Sequence, residues 1–576
     1  MTDTALSSAT RLSHSWIWDH HRHFYNTQSI NAWGNGHVPH YITNSPALAH
    51  AYGQMIFGYL RDCLREHYTR TTDQQAGLLN FDAPVYIMEL GAGSGRFAYH
   101  FLRHFCADYA HGTINPLAFK YVITDFAQGN LDHCRNHPRF QPYIEEGLLD
   151  FARFDALQSN HLELQVSGVT LPDGEDGQLQ NPLIFLANYF FDSLPCDIFC
   201  QEGNTLYEAL PVIYAEDGSS LESPPPIDDI NWLEQVLVDY QLEPLSEEQI
   251  QQYYENSIAN QVLSSYQETL SNTLVTFPTK SIDCLQHLTT IASQTSGGRM
   301  LVVSGDKGYS HEASLNDRGQ PRISPHGGGL SMMVNYHALG QYIQRRGGAA
   351  MSPGPQSTTL NINAFVLDTL NDDDTPADAP RINHIETQQA YHHWVRQYNP
   401  DDLYMIKKSM EAHYNDFPMR QLLSYLRLTH WDCNIFFRAF PAIMERLTEQ
   451  MGSESRTELY VIEELYDAIH KVWENYYYIG EQRDMAFFLA MLLFTMEHYD
   501  EALQFLEQSI LTHGEAPSTM YNIGMCHYYL DELDFAISYV DRALELDPTM
   551  ESARTAKMQL RAEWLEMRQQ ERLKRL

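Results

Sequence analysis

The residues best suited to chemistry lie in VYIMELGAGSGRFAYHFLRHF (85–105), where Glu89 is followed by Gly91, Gly93 and Gly95 at alternate positions. Glycines so spaced let backbone N–H groups approach a bound molecule that side chains would hold away, and the helix that starts after them offers more N–H groups to an anion. A dinucleotide fingerprint, GxGxxG, needs its third glycine where Arg96 stands. An acid ahead of the turn suits an ammonium rather than a pyrophosphate, so the pattern favours S-adenosylmethionine over NAD. Glu89 then answers the ammonium and the helix N-terminus the carboxylate. YVITD (121–125) ends in Asp125, thirty residues beyond Gly95, placed to accept both ribose hydroxyls. FARFDAL (151–157) reads as a third strand whose Asp155 reaches the adenine amino group.

A second group follows the run LIFLANYFFDSLPCDIF (183–199). At a switch point the carboxyl end of that strand faces the reacting group, which puts Asn188 and the aromatic residues Tyr189, Phe190 and Phe191 beside a sulfonium. The amide oxygen of Asn188 is expected to orient a nitrogen nucleophile, and Asp192 to hold a cation or take its proton, or else to cap the next turn. Cys196 and Cys200 are expected to be buried, inert thiols. DHHRHF (19–24) clusters His20, His21 and His23 without further ligands at metal-binding spacing, so they read as surface histidines, and no metal is expected.

These residues need a scaffold. Short β-branched and aromatic runs at 85–90, 121–125, 183–188, 300–306 and 361–368, with helical patterns between most of them, imply a parallel α/β sheet. The stretch 230–295 reads as mainly helical, with Ser246 and Gln249 spaced as a capping box; this insertion, about 216–298, is expected to cover the substrate. Beyond NDDDTPADAP (371–380), a linker by composition, strand patterns disappear. Residues 381–576 form a helical domain, clearest over 483–550, where Gly524, Ala536, Ala543 and Pro548 stand where a tetratricopeptide repeat has its small packing residues and closing proline. Stepping back 34 residues reaches Ala490, Ala502 and Ser509, and a further step Ala468. An ordinary helical bundle is the alternative.

The 576 residues carry 37 Lys plus Arg against 74 Asp plus Glu, a formal net charge of −37. That balance repels phosphate backbones and anionic lipid, so neither nucleic acid nor membrane is an expected partner. Eight cysteines without a CxxC pair, and no apolar run of spanning length, point to the cytoplasm.

ELGAGSGRFA and ANYFFDSLP together resemble the MidA family of class I methyltransferases, which includes the mitochondrial complex I assembly factor that dimethylates an arginine of a core subunit. YITNSPALAHAYGQMIFGYL (41–60) matches in Tyr41, Thr43, Ser45, Pro46 and Gly53, and SGDKGY (304–309), His326 and VNYHAL (334–339) are fainter echoes. The likeness covers roughly 36–370. It implies a Rossmann-like methyltransferase sheet over 76–370, preceded by a helical segment, 1–75, in which Tyr41 and Thr43 close over the cofactor. Where that family has Asn-Glu-Phe-Phe-Asp, Tyr189 replaces the acid, and Lys307 replaces a tyrosine. The expected function is S-adenosylmethionine-dependent N-methylation of a protein, an arginine by the resemblance. The alternatives are a repeat-bearing scaffold with a vestigial or sensory pocket, and a small-molecule methyltransferase.

Overall fold

The structure, a computed structural model, describes residues 10–34, 36, 38, 43–74, 77–112, 117–159, 161–172, 181–219, 221, 223–296, 298–355, 360–368, 382–452 and 459–574. The chain forms two compact units, Met1–Tyr404 and Met405–Leu576.

The first unit is built on a seven-stranded sheet. Its strands are β1 (Val85–Glu89), β2 (Phe119–Asp125), β3 (Leu149–Arg153), β4 (Leu183–Asn188), β5 (Met300–Asp306), β6 (Ala349–Met351) and β7 (Asn361–Leu367). Their order across the sheet is β6-β7-β5-β4-β1-β2-β3. Neighbours from β5 to β3 pair in parallel, while β7 is antiparallel to both β5 and β6. Strands β1, β4 and β5 carry apolar residues on both faces because both are covered, which is why they read as continuous hydrophobic runs. The chain proceeds outward from β1 to β2 and β3, then returns to lay β4 on the other side of β1. The reversal makes a Rossmann-like switch point, with a crevice beyond the carboxyl ends of β1 and β4.

Helices α1 (Ile17–Gln28) and α4 (Gln128–Asn136) line that crevice, and α2 (Pro46–Thr72) and α3 (Arg96–His111) belong to the same unit. Helix α2 starts where expected, with Pro46 at its first position and Ser45 Oγ accepting the Leu48 N–H at 3.2 Å.

The insertion departs from expectation. A second, antiparallel sheet orders Thr273–Phe277, Asp197–Glu202, Thr205–Ala215 and Val236–Pro244. Two of its strands thus lie inside the stretch read as mainly helical, beside helices Ser257–Thr269 and Thr279–Ser296. The Ser246–Gln249 capping box is formed, but its helix ends at Gln251. Strand Val236–Pro244 pairs along its whole length with Thr205–Ala215 and buries only Val236, so pairing rather than burial determines it.

The expected linker, 371–380, lies outside the described residues. The next helix, α5 (Ile385–Tyr391), belongs to the first unit rather than to the repeats. Asp62 of α2, wholly buried, accepts the N–H groups of Glu386 and Thr387 at 3.2 and 2.8 Å and the Thr387 hydroxyl at 2.7 Å. Those bonds satisfy free donors at the start of α5.

The second unit is helical. Helix pairs Met485–Thr495 with Tyr499–His513 and Pro517–Tyr529 with Leu533–Leu546 precede a final helix, Glu551–Lys574. Ala468, Ala490, Ala502, Ser509, Ala536 and Ala543 are all wholly buried. At Gly524 a Cβ would stand 2.8 Å from Val540 Cγ2 and 3.0 Å from Ala536 O, so the small residue lets the two helices of this pair touch.

Candidate active site

The crevice at the switch point is a cleft whose floor is the turn after β1. Gly91 and Gly93 have φ of +65° and +55°, which side-chain-bearing residues adopt only with strain. A Cβ on Gly91 would lie 3.0 Å from the Phe190 ring, and one on Gly93 2.6 Å from the Trp33 ring. Asp125, at the end of β2, braces this turn: its two oxygens accept the N–H groups of Gly93 at 2.9 Å and Ala127 at 2.8 Å. Burial pushes its pKa up against those bonds. The Asn130 side chain and the Phe126 N–H also bond to this carboxylate.

Glu89 ends β1 on the same floor and is buried. Its Oε2 accepts the Tyr121 hydroxyl at 2.9 Å. Among the described residues no Lys, Arg or His forms an ion pair with it, and burial raises its pKa from 4.5 to about 8. A carboxyl held this way is favourable as an anion only once a cation reaches it.

At the far end of the cleft, Asp155 meets Arg22 of α1 in a two-pronged pair at 2.6 and 3.2 Å, and the guanidinium lies over the Phe126 ring, 5.1 Å from its centroid. Thr43, buried, and Asn44 line the wall. His21 faces the cleft as a neutral ring: burial, then Arg22 and His326, hold its pKa at about 3. Its Nδ1 accepts the Leu330 N–H at 3.1 Å, which leaves the proton on Nε2.

Past the turn, Asn188 ends β4. Its Oδ1 accepts the Tyr52 hydroxyl of α2 at 2.7 Å, while its Nδ2 is buried with no partner. The amide therefore has N–H free, while its oxygen, expected to orient a nucleophile, already accepts one hydrogen bond. Tyr189 has φ of +47° and its N–H bonds to Gly305 O at 3.1 Å; such strain in a bulky residue is held by surrounding structure and recurs at ligand sites. Asp192, buried in the turn Phe191–Ser193, packs against Asp306 at the end of β5.

Thus Glu89, Gly91, Gly93, Asp125, Asp155, Thr43, Asn188 and Asp192 line one cleft. Gly95 stands just behind it as the N-cap of α3, with φ of +76°. Tyr41 lies outside the described residues. No described residue of 216–298 reaches the lining, which comes instead from α1, Trp33, Thr43, Asn44 and the hairpin around His326–Ser331. The N-terminal segment, not the insertion, therefore lines the cleft. His20 and His21 are buried, not superficial, because α1 turns Ile17, Trp18, His20, His21 and Phe24 inward; His20, His21 and His23 bond separately to Pro225 O, Leu330 N and Asp228. Cys196 and Cys200 are buried, and burial raises the pKa of both thiols.

Among known proteins, residues 517–550 match the tetratricopeptide repeat family. No curated protein matches the chain. One similar solved structure is an uncharacterized COG1565 superfamily protein from Burkholderia thailandensis, 10% identical over 63% of this chain and 89% of that one, with a TM-score of 0.35. A second, a COG1565 superfamily member from the same organism bound to S-adenosyl-homocysteine, is 10% identical over 57% and 80%, with a TM-score of 0.33. A thermophilic TPR protein from Thermus thermophilus is 12% identical over 30% of this chain and 89% of that one, with a TM-score of 0.21.

Proposed function

We propose that the chain is a methyltransferase that uses S-adenosylmethionine to methylate a nitrogen of a protein acceptor. The observation that carries this reading is Glu89: a buried carboxyl without a cation among the described residues, beside a turn whose glycines leave a cradle that a Cβ would close. The residues fit the cofactor: Glu89 would take its ammonium, the N–H groups around Gly91 to Gly95 its carboxylate, Asp125 the ribose, and Asp155 with Arg22 the adenine end, while Thr43 and Tyr41 would close over it. The cofactor supplies an electrophilic methyl on a sulfonium. The protein's part is then to position the acceptor and exclude water, with Asn188 and Asp192 at the acceptor end.

An arginine acceptor follows from the resemblance to MidA-type methyltransferases, and the acidic chain favours a basic partner. The helical repeats are surfaces suited to a polypeptide. Eight free cysteines accord with a reducing cytoplasm. Calorimetry with S-adenosylhomocysteine tests the reading: heat of binding is expected, with affinity at least about tenfold weaker in Glu89→Gln, and no heat would overturn it. One observation favours a scaffold instead, namely Tyr189 in place of an acid. Methyl label from the cofactor entering lysate proteins supports the enzyme; binding without transfer supports the scaffold.

A further inference from the structure

Two carboxyl groups meet behind the acceptor end of the cleft. Asp192 lines it, whereas Asp306 is wholly buried behind. Asp306 Oδ2 accepts the N–H of Asp192 at 3.0 Å and Oδ1 that of Lys307 at 2.8 Å, which brings the two acidic residues together. Ionised carboxylates only accept, so two neighbouring carboxyls can bond to each other only while the pair keeps one proton. Burial favours that state, and repulsion between the two groups adds to it.

Among the described residues, the surroundings offer no buried counter-charge. Lys307 acts on Asp192 but is exposed. Tyr25 of α1, Tyr52 of α2, Tyr189 and Tyr336 face the pair and burial keeps all four phenols protonated. His326, on the hairpin beyond, is held neutral by burial and by Lys307. Glu89 and Asp125 lie at the glycine turn, so the pair is not needed there. A buried acidic pair without a partner is costly for a fold to keep.

We infer that Asp192 and Asp306 form a one-proton pair that receives a cationic acceptor nitrogen, guanidinium or ammonium, and takes up the proton this nitrogen must lose. The inference rests on the methyltransferase reading of the cleft. Asp192 touches the acceptor; Asp306 is a positioning residue that acts through it. The nitrogen's proton passes to the ionised oxygen of the pair and on to water, and its lone pair forms the N–C bond while the C–S bond breaks and sulfur keeps the electrons.

The test compares two probes on the full chain: S-adenosylhomocysteine, and sinefungin, which carries an ammonium where the transferable methyl would stand. Calorimetry at pH 6.5 in buffers of different ionisation heat is expected to show sinefungin binding about tenfold tighter and releasing about one proton more, because the ammonium displaces the shared one. Asp192→Asn is expected to abolish both differences. Asp306→Asn should keep the tighter binding and lose the extra proton, a readout that a merely structural role would not move. Equal affinity and equal proton release in the unmodified chain would overturn the inference, and that comparison stands even if a variant fails to fold. If S-adenosylhomocysteine itself does not bind, the methyltransferase reading fails instead.

Discussion

At the residue scale, Glu89 controls how the site responds to pH. Its folded-state pKa is raised to about 8 by burial, so folding favours the protonated form. That contribution is whole below about pH 4 and is lost as pH rises through about 8. Stability is therefore expected to decline over that window, by a few kcal/mol at most, and Glu89→Gln should flatten the decline in urea titrations at stepped pH. A bound ammonium reverses the preference, so S-adenosylhomocysteine binding should release close to one proton near pH 7; proton release unchanged in Glu89→Gln would contradict this. Gly91 makes a second prediction: at φ of +65° and with Phe190 3.0 Å from any Cβ, Gly91→Ala should cost about 1–2 kcal/mol and weaken binding, as isothermal titration would show. Glu89, the glycines and Asp125 are legible in sequence because one strand, one turn and the next strand end hold them together. Arg22, which lines the cleft, and Tyr52 and Asp306, which stand behind it, are not, since each comes from a remote segment and no local spacing marks it. Asn188 is legible as a site residue, but its free group depends on Tyr52, 136 positions away.

At the scale of elements, the buried strands announce themselves because both faces are covered and few polar residues interrupt them. Strand Val236–Pro244 does not, since its outer face is wet and its partner strand, not its own apolar content, makes it a strand. The lining from α1 is hidden for a related reason: a helix beginning IWDHHRHF looks superficial until His20 and His21 are seen to pack inward. The repeats are legible because the 34-residue period places small residues at fixed points, and there the packing can be tested. Gly524→Val would drive methyl groups into Val540 and the Ala536 carbonyl. A loss of about 1–3 kcal/mol is expected in chemical denaturation of the second unit, with S-adenosylhomocysteine affinity unchanged. An unaltered midpoint would mean the helix pair has room that the distances deny.

At the scale of the whole molecule, two quantities act on different parts of the chain. The candidate cofactor site is formed by residues of the first unit alone, whereas the surplus of 74 acids over 37 bases is carried by the chain as a whole. A ligand stabilises what binds it: at a hundredfold excess over Kd the gain is about 2.7 kcal/mol. With an unfolding entropy of about 2.1 cal/mol/K per residue, that gain raises the melting temperature of a unit the size of Met1–Tyr404 by about 3 °C. Salt acts otherwise, because screening relieves self-repulsion wherever acids crowd. Between Leu459 and Asp547 there are 17 acids against Lys471, Arg483 and Arg542, so the repeats have at least as much repulsion to lose as the sheet. Scanning calorimetry is therefore expected to resolve a transition that S-adenosylhomocysteine moves and one that it leaves in place, while raising sodium chloride from about 20 to about 200 mM moves both upward. A ligand that shifted both transitions equally would show the units to be one cooperative body, and salt that shifted neither would remove self-repulsion from the account of this acidic chain.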